Sequence, residues 1–190
     1  MSSKIPRLCL SVTALGLLFI VLAFRPSAIQ AQSGGNPILL VVNSASSNPF
    51  GSYLGEILRA EGLNAFDVMN LSAVTATDLT NHNVTILAET SLTSAQAMTF
   101  TNYVNGSGHL IAMRPDAQIK SLFGMSATVG SLTNGYVKMD PTATWNGSQP
   151  AQGLTNATLQ IHGVTDEFTV LGGAVTIAQL YSNASTATAY

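Results

Sequence analysis

Apolar residues recur along this chain in two rhythms. Ile38-Leu39-Leu40-Val41-Val42, Val84-Thr85-Ile86-Leu87-Ala88 and His109-Leu110-Ile111-Ala112-Met113 are short, nearly continuous apolar runs. That is the pattern of strands buried on both faces of a parallel sheet. Between these runs the spacing turns helical. Asn48 is a good N-cap with Pro49 at the first helical position. Phe50, Tyr53, Leu54, Ile57 and Leu58 then fall at i, i+3, i+4, i+7 and i+8 and predict a core-facing helix stopped by Gly62. Asn64 to Met69 is more polar and suits a sheet edge. Thr75 and Asp78 predict the cap of a short helix. Thr93 and Gln96 have the spacing of a capping box, and Ala97, Phe100, Thr101 and Val104 share one helical face before Gly106 and Gly108 supply the stop. Residues 38–113 thus read β-α-β-α-β-α-β. The pattern predicts a doubly wound, mostly parallel α/β sheet in the spatial order 2-1-3-4, with helices on both faces. In such a sheet a ligand crevice lies beyond the carboxyl ends of the first and third strands, where the connections diverge.

After Arg114 the texture changes. Asp116 to Phe123 predicts a short helix, whereas Gly124 to Gly153 is rich in Gly, Ser, Thr and Asn, with Tyr136–Met139 as its one strand. Thr158–Ile161, Phe168–Leu171 and Val175–Leu180 are further strands, read as β-hairpins added to the same domain. The domain reading therefore runs 38–190. Because Tyr190 is reached with no closing helix, the domain is expected to be truncated at its C-terminus, with neighbouring domains in a longer chain.

The opening residues differ from the rest. Lys4 and Arg7 precede an apolar run from Leu8 to Phe24, and Ser27-Ala28-Ile29-Gln30-Ala31 offers a small residue for cleavage. Residues 1–31 read as a signal peptide and 32–37 as a lead-in, which predicts a secreted or cell-surface protein. The other reading is a membrane anchor formed by residues 8–24 left uncleaved.

Cys9, inside that run, is the sole cysteine, so a mature chain has no thiol for a disulfide, a metal or a nucleophile. Loss of Lys4, Arg7 and Arg25 leaves Arg59, Arg114, Lys120 and Lys138 against nine acidic residues and moves the formal charge from −2 to −5. Without a basic stripe, nucleic acid is not an expected partner. His82, His109 and His162 are too scattered for a metal site, and no metal or cofactor is predicted.

The run from Asn83 to Asp116, with its turn Tyr103-Val104-Asn105-Gly106-Ser107-Gly108, resembles class I glutamine amidotransferase-like (flavodoxin-like) domains, particularly the ThuA-type and related non-glutaminase branches. The likeness covers about Pro37 to Phe123 and implies the same scaffold. It also implies the setting in which similar modules occur, large bacterial secreted proteins with immunoglobulin-like or carbohydrate-binding neighbours. In true amidotransferases the turn after the fourth strand presents a cysteine nucleophile on a glycine-flanked elbow. Here that turn is Ala112-Met113-Arg114-Pro115-Asp116, so glutamine hydrolysis by the family mechanism is excluded.

Five residues remain as binding candidates, with no catalytic assignment. Glu89 and Arg114 end neighbouring strands, and Arg114 could hold a small polar ligand or carbohydrate with Glu89 or Asp116 as acceptor. The bland alternative is an ion pair that closes the top of the sheet. Asn43 and Ser44, with Ser46, lie where the first βα loop meets a helix N-terminus and either bind an anion or cap the helix; no glycine-rich phosphate fingerprint favours the first. Gly124–Thr128 half matches a serine elbow. Tyr136, Trp145 and Tyr181 could stack on sugars, against a reading as core packing. The functional expectation is a non-catalytic structural or ligand-binding module, with a carbohydrate-directed hydrolase or isomerase of ThuA-like type as the alternative.

Overall fold

The computed structural model describes residues 35–186 and Ala189, and the predicted signal peptide lies outside them. Four parallel strands, β1 (Ile38–Val42), β2 (Phe66–Asn70), β3 (Val84–Leu87) and β4 (Leu110–Ala112), form one sheet in the order β2-β1-β3-β4. The parallel register sets Leu40 beside Val68 on one side and Ile86 on the other, with Ile86 beside Ile111. The predicted order and the predicted edge position of β2 are those observed.

Side-chain alternation along these strands divides the core in two. Leu39, Val41 and Leu87 point to the face covered by α2 (Ala76–Thr80) and α3 (Ser94–Asn105), where Leu79, Ala97, Phe100 and Tyr103 meet them. Leu40 and Ile86 point to the opposite face, under Leu54 and Leu58 of α1 (Phe50–Ala60). The predicted capping box of Thr93 with Gln96 is made, and the predicted cap of Thr75 and Asp78 is a capping box as well. α1 starts one residue later than predicted, with Pro49 rather than Asn48 at its N-cap, although the Asn48 amide oxygen still accepts the Phe50 N–H at 2.9 Å.

One expectation for α1 fails. Leu54 and Leu58 are half-buried, but Phe50, Tyr53 and Ile57 are 60%, 46% and 54% exposed and do not face the core. Gly51 and Gly55 explain why. A Cβ at Gly51 would stand 3.1 Å from that of Ala88, and one at Gly55 would stand 3.4 Å from Leu40. The helix lies on the sheet along this glycine pair, which rotates the three larger residues to its flank. At the end of α3 the left-handed residue is Ser107, with φ 72°, rather than either glycine. Its N–H reaches Val104 O and that of Gly108 reaches Tyr103 O, a Schellman closure with serine at the position glycine usually takes.

The predicted helix over 116–123 is a 3₁₀ turn over Lys120–Phe123, with Ile119 fully buried beside it. The stretch read as loop after Gly124 contains β5 (Met125–Thr133), a nine-residue strand that also removes any serine elbow there. It pairs antiparallel with β8 (Val164–Val170), and β6 (Tyr136–Met139) pairs with β7 (Thr158–Gln160) in the next stretch of the same two arms. Residues 125–170 therefore form one long bent hairpin. Its kink falls at Asn134, where φ is 53° and the N–H bonds Gly163 O at 2.8 Å. The last strand, β9 (Ala178–Tyr181), returns along β6. Among the described residues no helix is long and apolar enough to cross a membrane.

Candidate functional site

The loops that leave β1, β3 and β4 at their carboxyl ends enclose a polar crevice of about 320 Å³. Ser46 and Asn48 come from the first loop, Glu89 to Ser91 from the second, and Arg114 to Ala117 from the third. Two further charges complete the wall, Lys120 from the 3₁₀ turn and Asp166 from β8. Glu89, Arg114 and Asp116 thus meet where the topology predicted. Asn43 and Ser44 do not line the crevice. The Asn43 amide donates to Thr90 Oγ1 at 2.9 Å while its oxygen accepts the Ala45 N–H, and Ser44 Oγ accepts from Asn70. Both residues tie loops together, and neither makes a side-chain hydrogen bond to the start of α1.

Arg114 is the hub. Its Nη1 donates to Glu89 Oε1 at 3.0 Å, and its Nε and Nη2 grip both oxygens of Asp166 at 3.2 and 2.8 Å. The second oxygen of Glu89 accepts from Asn48 at 2.9 Å. The planar guanidinium suits this fork, and the two carboxylates hold its pKa above the usual arginine value. Its backbone is at φ 43°, sparsely populated by residues with a side chain, and Pro115 follows, which narrows the choices further. The turn after β4 therefore carries a cation, on a strained backbone held by three hydrogen bonds.

The two aspartates of the crevice have lowered pKa values. Asp166 lies below the ordinary aspartate pKa, chiefly because Arg114 donates to it, with Lys120 Nζ 3.7 Å away adding to the effect. Burial pushes the Asp116 carboxyl up, but N–H donors outweigh it and the net shift is downward. Those donors are Gln118 at 2.9 Å and Leu92 at 3.1 Å, so Asp116 staples the loop after β3 to the loop after β4. Lys120 is itself only 7% exposed, with its ammonium donating to Thr128 Oγ1. Three carboxylates face two cations across the crevice, and each is bonded.

Sequence reasoning missed Asp166 and Lys120. One signal was present, since Asp166-Glu167 is the only adjacent acidic pair in the chain and sits inside an otherwise uncharged strand. His82 lies elsewhere, with one ring nitrogen 2.7 Å from Asp78 O and the other 3.0 Å from Asp67, whose pKa is lowered first by that contact. His162 is exposed. Among the described residues no group of three or more His, Cys, Asp or Glu side chains is placed to hold a metal. Trp145 is half exposed rather than packed in a core.

No family model and no curated protein matches this chain. Among solved structures it is similar to a ThuA-like protein from Bacteroides uniformis, with 14% sequence identity and a TM-score of 0.57 over 78% of this chain and 69% of that one. At that identity the likeness carries the fold and nothing finer.

Proposed function

We propose that this chain is a non-catalytic α/β module of a secreted or cell-surface protein, supporting neighbouring domains or binding a small polar ligand at the crevice between Glu89, Arg114 and Asp166. The observation that carries the reading is the state of the crevice charges. Arg114 holds Glu89 and Asp166, and the Leu92 and Gln118 N–H groups hold Asp116, so each of the three carboxylates is engaged in tying loops together. The five charges largely cancel, which favours an uncharged ligand over an anion. Hydroxyls of Ser46, Thr90 and Ser91 stand on the wall, and a neutral polyhydroxyl compound such as a monosaccharide matches that surface.

A second reading, a carbohydrate-directed hydrolase or isomerase of ThuA-like type, is favoured by one fact. Glu89, Arg114 and Asp116 open onto the same crevice, as a shared catalytic role would require. The two readings separate in a paired experiment on the purified chain. Amide resonances are followed while D-glucose or D-galactose is added, and p-nitrophenyl glycosides are assayed for turnover. The module reading expects saturable shifts at Glu89–Ser91 and Arg114–Asp116 with no release of nitrophenol. Turnover abolished by Glu89→Gln or Asp116→Asn would install the enzyme instead, and absent shifts would sink the ligand-binding half of the proposal.

A further inference from the structure

The 3₁₀ turn that sends Lys120 into the crevice shows its other residues to a different cavity. Ser121 to Phe123 and Gly124 line a space of about 480 Å³ with Trp145, Pro150, the loop Gly172-Gly173-Ala174, Val175 and Ile177. We infer that this cavity is a second binding site, built for the pyranose ring of a neutral carbohydrate stacked on Trp145.

The indole is presented rather than buried. Trp145 and Ser148 exchange both backbone hydrogen bonds, at 2.8 and 2.9 Å, around a two-residue turn in which Asn146 has φ 48° and Gly147 has φ 79°. These are the signs of a type I′ turn, here closing an isolated bridge in the loop between β6 and β7. The ring it carries is 50% exposed. A flat side chain left half in water on so tight a turn is available as a platform, and an aromatic ring loses little entropy on binding.

The rest of the wall selects the ligand. No Asp, Glu, Lys, Arg or His lines this cavity, in contrast to the crevice, so a charged ligand finds no counter-ion. Pro150, Val175 and Ile177 are apolar, while the Gly172-Gly173 stretch offers backbone N–H and C=O groups without side chains in front of them, and Ser121 adds a hydroxyl. A pyranose has the matching chemistry. The C–H bonds on one face are weakly positive and meet the negative face of the indole, and its rim of hydroxyls meets backbone donors and acceptors. An aliphatic chain would leave that polar wall unsatisfied.

The chain has one tryptophan, so its emission reports this site alone. A Cβ built on Gly172 meets nothing within 4 Å and its φ is not in the left-handed region, so Gly172→Leu can fill the cavity without straining the backbone. The purified chain is titrated with maltohexaose, cellohexaose and N-acetylchitohexaose while tryptophan emission is followed. The expected result is a saturable blue shift with at least one of them. The shift is lost in Gly172→Leu, whose melting temperature is unchanged, and persists in Glu89→Gln, whose side chain does not line this cavity. Persistence in Glu89→Gln also separates this site from the crevice reading, which can fail without it. The inference is overturned if none of the three sugars gives a saturable change, if the response survives Gly172→Leu or vanishes in Glu89→Gln, or if n-hexanol moves the emission and the sugars do not.

Discussion

Asp166 is where the bent hairpin is tied to the sheet, and replacing it with asparagine isolates the worth of its charge. The substitution keeps the shape and one oxygen but leaves Lys120, 8% exposed in its side chain, without its ion-pair partner at 3.7 Å. At an effective dielectric of about 20, charges at that separation attract by roughly 4–5 kcal/mol before desolvation. Asp166 is 20% exposed and Thr128 still accepts from the ammonium, so about half of that survives as a net effect. Arg114, 49% exposed, retains Glu89 and water, and its arm adds no more than about 1 kcal/mol. The expected cost of Asp166→Asn is therefore about 2–3 kcal/mol near neutral pH, read as a fall in the urea midpoint with an unchanged slope. Because the folded pKa of Asp166 is depressed, its contribution is complete above the unfolded value of about 3.9 and is lost as pH falls through the folded value. The gap between variant and parent should then be flat from neutrality to about pH 5 and close below it. Adding Lys120→Met removes the stranded charge and should restore about 1 kcal/mol or more to Asp166→Asn. A cost below about 0.5 kcal/mol, or strict additivity of the two substitutions, would refute the reasoning.

Two further predictions concern the frame that positions the crevice. Thr85 on β3 is fully buried and its Oγ1 has no hydrogen-bond partner among the described residues, so Thr85→Val should raise stability by about 1 kcal/mol in urea denaturation; a loss of stability would show that the hydroxyl is satisfied in solution. The two residues that close α3 should respond with opposite signs in thermal melts. Ser107→Gly relieves a left-handed backbone and should raise the melting temperature by about 2–4 °C, whereas Gly108→Ala drives a methyl to 2.3 Å from the buried Tyr103 ring and should lower it by more than that. Equal signs for the pair would break the argument.

What could be read from the sequence follows the range of the interactions involved. The parallel sheet was legible because three of its four strands are compact apolar runs and two of the helices between them carry capping boxes, as at Thr93 and Gln96. The orientation of α1 was not, since the hydrophobic spacing through Phe50, Tyr53 and Ile57 is genuine but yields to the close approach that Gly51 and Gly55 allow. The strand over Met125–Thr133 escaped notice for a different reason. Its partner lies more than thirty residues away, and register shifts between Met125 and Thr128 and between Thr128 and Gly130 break the alternation that marks a strand.

The same division runs through the crevice. Glu89, Arg114 and Asp116 stand at strand ends, and topology alone brings strand ends together. Asp166 reaches them only because the hairpin folds back over residues distant in sequence, with Asp166 opposite Ser131. The site is therefore the seam between the locally encoded half of the domain and the half encoded by long-range pairing. Arg114 pays for that seam in backbone strain, of order 1–3 kcal/mol for a side-chain-bearing residue at φ 43°. Its bonds to Glu89 and Asp166 are what offset the strain. An arginine locked by one carboxylate from each half holds the crevice open and docks the hairpin with the same atoms. The same bonds therefore shape the crevice and attach the C-terminal ribbon, so a ligand that binds between Glu89, Arg114 and Asp166 should stabilise both together.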